Sequence, residues 1–177
     1  MIHFSGRLQM VITCFLVVTS INVIAAGQGT VEGIEKRIQQ LEDREAIRSL
    51  LIEYGKTLDA RDFRAFSELF AENGVWDGGM GVAKGPAAIQ KLMEDTIGSN
   101  SNSGLGSPNF HIFNNEVIVV DGDRATATTK WSFVAQGENK RPQWIYLGHY
   151  NDTLIRENGR WKFLLRKVTG AIPGEQE

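Results

Sequence analysis

Glu53-Tyr54-Gly55-Lys56-Thr57-Leu58-Asp59-Ala60-Arg61-Asp62-Phe63 is the stretch on which the fold turns. Upstream of it, apolar residues recur at helical spacing through Ile34, Ile38, Leu41, Ile47, Leu50, Leu51, Tyr54 and Leu58. That spacing predicts a long amphipathic helix with a charged outer face, ending near Asp59. Downstream, Asp62 is a good N-cap for a second helix, whose stripe of Phe63, Phe66, Leu69 and Phe70 runs until Asn73-Gly74 stops it. Two helices therefore meet at Leu58-Asp59-Ala60-Arg61.

Further along, Val75-Trp76-Asp77 reads as a brief strand. Gly78-Gly79-Met80-Gly81 lacks the spacing of a phosphate-binding loop and reads as a tight turn. Gly85-Pro86 opens a third helix, Pro86 to about Ile97, with proline in its first turn. Gly98 to Pro108 is rich in Gly, Ser and Asn without periodicity and predicts a loop. From Phe110 the period changes to that of strands: Phe110 to Val120, Ala125 to Ala135, Trp144 to Arg156 and Trp161 to Thr169, punctuated by Asp121-Gly122-Asp123, a polar loop around Gly137 to Pro142, and Glu157-Asn158-Gly159-Arg160. Helices first and a strand meander after them imply an α+β fold, with helices on one face of a mainly antiparallel sheet.

The 177 residues, 42% hydrophobic and 23% charged, suffice for one buried core. A net charge of −2 with dispersed basic residues gives no footprint for a phosphate backbone, which excludes nucleic acid as an expected partner. At the N-terminus, Arg7, the apolar run Met10 to Ile24, and the small residues around Ala25, Ala26 and Gly27 have the pattern of a signal peptide. Residues 1–26 are accordingly expected to be an export segment, 27–33 a linker and 34–172 the folded domain. The expected location is periplasmic or secreted, with no stable membrane span after cleavage, since the apolar run falls short of the roughly 20 residues a spanning helix needs. Cys14 is the one cysteine and lies inside that segment, so the mature domain is expected to work without thiols or disulfides. Its chemistry then rests on His, carboxylates, Tyr, Lys or hydroxyls.

Arg44-Glu45-Ala46-Ile47, Tyr54, Leu58 to Phe63, Val75-Trp76-Asp77, Lys84-Gly85-Pro86, Val119 to Ala125 and the Gly148 to Trp161 hairpin together resemble the SnoaL-like family of the NTF2-like superfamily. The resemblance covers roughly Val31 to Thr169 and implies a cone of helices on a curved sheet. Within that superfamily the chain is similar to the branch of scytalone dehydratase, bile-acid 7α-dehydratase and hexachlorocyclohexane dehydrochlorinase. That branch carries an Asp at the end of the first helix and a His on the strand after the loop, matched here by Asp59 and His111. Bile-acid dehydratase also has a Tyr five residues before the Asp, as Tyr54 precedes Asp59. A further acidic residue of that enzyme falls where this chain reads Phe133-Val134-Ala135-Gln136, so its complete set does not carry over. The family often forms dimers or trimers through its curved sheet, which implies a homodimer or homotrimer.

The residue types make chemical sense of the match. A neutral imidazole is a base near neutral pH, so His111 is the candidate to remove a proton from carbon. Asp59 would hold the ring's tautomer and stabilise the imidazolium. The Tyr54 hydroxyl would donate to a developing enolate or leaving oxygen. Trp76, Phe113 and Trp131 are candidate walls of an apolar pocket. His149 and Tyr146 differ in strand parity, and His149 is taken as the one facing inward. Asp152 with Arg156 or Arg166 reads as a surface or rim ion pair. No cofactor is called for, and no metal site, since His111 and His149 are the only histidines beyond the export segment.

Each assignment has a plainer competitor: His111 as a core histidine satisfied by backbone carbonyls, Asp59 as a cap, Tyr54 as core. Three functions therefore stay open. One is a cofactor-independent lyase or isomerase of the dehydratase type acting on a small apolar, possibly cyclic molecule. Another is a non-catalytic exported protein that binds such a molecule. The last is an NTF2-like interaction module with its interior filled by side chains.

Overall fold

The computed structural model describes residues 18–98, 109–137 and 139–172, with side chains from residue 30 onward. The export segment up to residue 17, with Cys14, and residues 99–108 of the expected loop lie outside the described residues. Chain contacts divide the molecule into two units, residues up to Leu41 and Glu42–Glu177.

The first unit is helical from residue 18: helix α1 spans Val18–Asp59. Residues 27–33, expected to be a linker, are part of that helix. Gly29 and Gly33 each cost roughly 1 kcal/mol against Ala, but no proline interrupts the ladder and helix propagates from both sides of them. Among the described residues no helix is long and apolar enough to cross a membrane, which says nothing of a β-barrel.

In the second unit α1 is followed by α2 (Phe63–Ser67), β1 (Phe70–Gly78), β2 (Gly81–Lys84), α3 (Pro86–Ile97), β3 (Asn109–Asp121), β4 (Arg124–Gln136), β5 (Pro142–Glu157) and β6 (Arg160–Ile172). The strands form one sheet in the order β2-β1-β6-β5-β4-β3. All neighbours are antiparallel except β1 and β6, which run parallel and make the sheet mixed. Helices pack on this sheet, the α+β arrangement that the helix-then-meander order predicts.

Asp62 caps α2 as expected, its carboxylate accepting from the Ala65 amide at 2.9 Å. The helix, however, stops after five residues, and Phe70, expected on its stripe, begins β1. The backbone there finds a better partner in the sheet: the Phe163 amide donates to the Leu69 carbonyl and Phe70 pairs with Phe163. The Gly78 to Gly81 turn closes a hairpin with β2, a strand whose four residues are too few to show a period.

The core gathers Ile47, Leu50, Leu51, Tyr54 and Leu58 from α1, Phe63 and Phe66 from α2, and Ala125, Ala127, Trp131, Tyr150, Leu154, Trp161 and Phe163 from the sheet.

Candidate active site

The end of α1 is built to aim one side chain. Arg61 takes the left-handed conformation, φ 56°, and the Asp62 amide donates back to the Thr57 carbonyl while the Arg61 amide donates to Leu58. This is the paired-bond ending usually made with glycine. Arg61 in place of glycine costs about 1 kcal/mol or more. Its guanidinium gives something in return: Nη1 donates to the carbonyls of Ile97 (2.8 Å) and Gly98 (3.3 Å), a cation at the C-terminus of α3.

Asp59, the last residue of α1, thereby faces β3. Its Oδ1 lies 2.6 Å from His111 Nδ1 and accepts from Asn109 Nδ2 at 3.1 Å, and its Oδ2 accepts from the His111 amide at 2.9 Å. Asn109 and His111 sit two apart on β3 and so share a face. A carboxylate receiving these donors is best met by a hydrogen on Nδ1, which assigns the tautomer and leaves Nε2 with its lone pair. The pair is mostly shielded, with side-chain exposures of 13% for His111 and 21% for Asp59.

His111 opens on a cavity of about 680 Å³, lined also by Tyr54, Leu58, Arg61, Trp76, Asn109 and Trp131. Phe133, Tyr146, Tyr150 and Val168 are among the residues that continue the largely apolar wall. Asp59 is not part of the lining and stands behind the imidazole. The expected filled interior of an interaction module therefore does not occur, because the walls leave a ligand-sized space open.

Tyr54 is buried beneath this cavity at 2% exposure. Its hydroxyl oxygen accepts from the indole Nε1 of Trp76 at 3.0 Å. Burial pushes the phenol above its ordinary range, with the Arg166 charge opposing the shift, so the group stays protonated. Burial likewise raises Tyr150 well above its usual value, reinforced by Tyr54.

Behind both rings lies the main departure from the sequence reading. Arg166 and Asp152, expected at the rim, are buried, joined by two hydrogen bonds of 2.8 and 2.7 Å. The Arg166 guanidinium carbon lies 4.0 Å from the Tyr54 ring centre, 4.2 Å from Tyr150 and 4.1 Å from Phe163. Such desolvated cation–ring contacts are worth about 2 kcal/mol. Burial works against the charge, but Asp152 outweighs it and holds Arg166 above the ordinary arginine range. Sequence pattern misread this pair because Asp152 shares the parity of Tyr150 and Leu154, and a charged residue on that register was taken for a rim residue.

Two of the expected pocket residues are placed otherwise. His149 is exposed on the outer face of β5 and does not line the cavity. The inward parity belongs to Tyr146, Gly148 and Tyr150, and it is Tyr146 that reaches the cavity. Phe113 is half-buried but packs against α1 instead of lining the space: a Cβ added at Gly55 would come within 2.5 Å of its ring. Trp76 and Trp131 do line it. The indole of Trp131 lies across Gly148, where a Cβ would fall 2.7 Å from the ring and 2.1 Å from the Thr169 carbonyl. Sequence reasoning missed Asn109, Arg61, Phe133 and Tyr150; the i, i+2 spacing of Asn109 and His111 was the signal available for the first. Among the described residues no cluster of three or more His, Cys, Asp or Glu is placed to hold a metal.

Comparison with known proteins agrees with this architecture. An NTF2-like protein with a cystatin-like fold from Novosphingobium aromaticivorans is 28% identical, with a TM-score of 0.67 over 76% of this chain and 86% of that one. A scytalone dehydratase-like protein from the same organism is 24% identical, with a TM-score of 0.60 over 75% and 86% of the two chains. LinA is 19% identical, with a TM-score of 0.62 over 75% and 88%. No match was found among curated protein sequences. The SnoaL-like domain family matches residues 39–167, most of the chain and all of the cavity's elements except the end of β6, and the chain belongs to that family.

Proposed function

We propose that this protein is a cofactor-independent lyase or isomerase of the dehydratase type, acting on a small, mostly apolar, possibly cyclic molecule in an exported compartment. One observation carries the reading: the Asp59–His111 contact of 2.6 Å stands at the wall of an apolar cavity. A core histidine satisfied by backbone carbonyls would need neither the carboxylate nor the space.

In this reading Nε2 of His111 takes a proton from carbon next to a substrate carbonyl, and the C–H electron pair moves into an enolate. Asp59 keeps its charge and stabilises the imidazolium that results. Tyr54 donates its phenolic hydrogen to the developing enolate oxygen, the preorganised role of an oxyanion donor. Collapse of the enolate expels a β-hydroxyl, which leaves as water with the proton returned by the imidazolium. Without a leaving group, return of that proton to a different carbon moves the double bond instead. Asn109 shares Asp59 Oδ1 and fixes the carboxylate's orientation.

The test is a panel of small cyclic and open-chain β-hydroxy ketones and β,γ-unsaturated ketones, followed by the absorbance of the conjugated enone. Turnover by wild type, falling by about 10²–10⁴ in His111→Ala, by a comparable factor in Asp59→Asn and by about 10²–10³ in Tyr54→Phe, supports the assignment. Nitrogen NMR of the imidazole supplies a substrate-free check, with the hydrogen expected on Nδ1 in wild type and redistributed in Asp59→Asn. Saturable binding of these ketones without turnover would favour the carrier reading, and a hydrogen resident on Nε2 would remove His111 as the base.

A further inference from the structure

Helix α1 carries two apolar stripes, and the domain uses only one. Ile47, Leu50, Leu51, Tyr54 and Leu58 are buried. Val31, Ile34, Ile38 and Leu41 are exposed to between 49 and 63%, although their spacing matches a helix face equally well. At about 100° per residue the two sets differ in phase by roughly half a turn, so the apolar periodicity changes sides just after Leu41. That explains why a sequence reading that merges the two sets into one amphipathic face overestimates what the domain covers.

The exposed set has the 3-4-3 spacing of a coiled-coil seam, with Val31 and Ile38 at a and Ile34 and Leu41 at d. Val31 and Ile38 at a with Leu41 at d suit two parallel strands and outnumber Ile34, whose branched side chain at the other d favours higher orders. The flanking charges point the same way. In this frame Glu35 and Glu42 occupy e, and Arg37 and Arg44 occupy g, all exposed. In a parallel pair each g residue meets the next e residue across the seam, setting Arg37 against Glu42 of the partner subunit. In an antiparallel pair g meets g and e meets e, which sets arginine against arginine and glutamate against glutamate.

The frame also says where the seam stops. Its next a and d positions are Glu45 and Arg48, and these are engaged inside the chain: Arg48 bonds Glu45 at 3.0 Å and Glu116 on β3 at 2.9 Å. We propose that residues 31–42 of α1 associate with the same segment of a second copy as a parallel two-stranded coiled coil, joining the protein into a dimer through its N-terminal helix.

Sedimentation of the full chain across a range of concentrations tests this, with all variants made in a Cys14→Ser background. The wild type is expected to be a dimer, and Ile34→Asp combined with Ile38→Asp to self-associate at least about tenfold more weakly. These side chains are exposed, so circular dichroism should show the fold intact. Arg37→Glu should weaken the dimer, and adding Glu42→Arg should restore it. Ile38→Cys should form an inter-chain disulfide under mild oxidation, since identical a positions face each other only in the parallel, in-register pair. A monomer at every concentration, a trimer, a dimer indifferent to the two aspartates, or a charge swap without rescue would each overturn the proposal.

Discussion

The Trp76 indole donates to the Tyr54 hydroxyl over 3.0 Å, joining the first sheet strand to the C-terminal turns of the long helix within the buried core. Because the oxygen is already an acceptor there, the phenol's own hydrogen is the part left for another partner. Trp76 thus orients the proposed proton donor as well as walling the cavity.

Replacing either residue by phenylalanine should expose this coupling. Trp76→Phe and Tyr54→Phe are each expected to cost about 1–3 kcal/mol, since each leaves a buried polar group without its mate. The double variant should cost less than their sum by about 1 kcal/mol in urea unfolding. Strict additivity would show that the two groups merely share the core.

Alkaline pH should weaken the fold through Tyr54 and Tyr150. Both phenols are raised in the folded state, chiefly by burial, so above about pH 10 the unfolded chain releases protons that the folded chain keeps. The fold's share of stability from these groups is complete below the unfolded value and is lost as pH rises toward the folded ones. The slope approaches about 1.4 kcal/mol per pH unit for each phenol. Urea unfolding between pH 9 and 12 should show that slope, roughly halved in Tyr150→Phe; a flat profile would contradict the buried placement of the rings.

The Asp152–Arg166 pair should respond asymmetrically to substitution. Removing one partner, by Asp152→Asn or Arg166→Met, strands a buried charge and is expected to cost about 3–5 kcal/mol. Replacing both, by Asp152→Leu with Arg166→Met, should recover much of that loss. Single variants with thermal stability close to wild type would mean that water reaches the pair.

How much of the site was readable depended on whether the clue was local. Asp62 announced its cap and Gly78 to Gly81 its turn, because both act on backbone a few residues away. Phe70 did not announce its strand, since its partner is Phe163, far along the chain. His149 was assigned to the wrong face because alternation specifies two faces without saying which is inner; that is set by Tyr150 and Leu154 packing into the core.

The sequence by itself determined the order of helices and strands apart from the short β2, and the boundaries of α3, through periods and turn residues that need only neighbouring side chains, and its motifs carried the resemblance to the family. It also supplied Asp59 and His111, by resemblance. Tertiary structure alone decided that these two touch, that an open cavity lies before them, and that Asp152 and Arg166 are core and not rim. The physical reason is that a 2.6 Å contact between a helix end and a strand 52 residues later depends on how two elements dock, a packing outcome that no local period encodes.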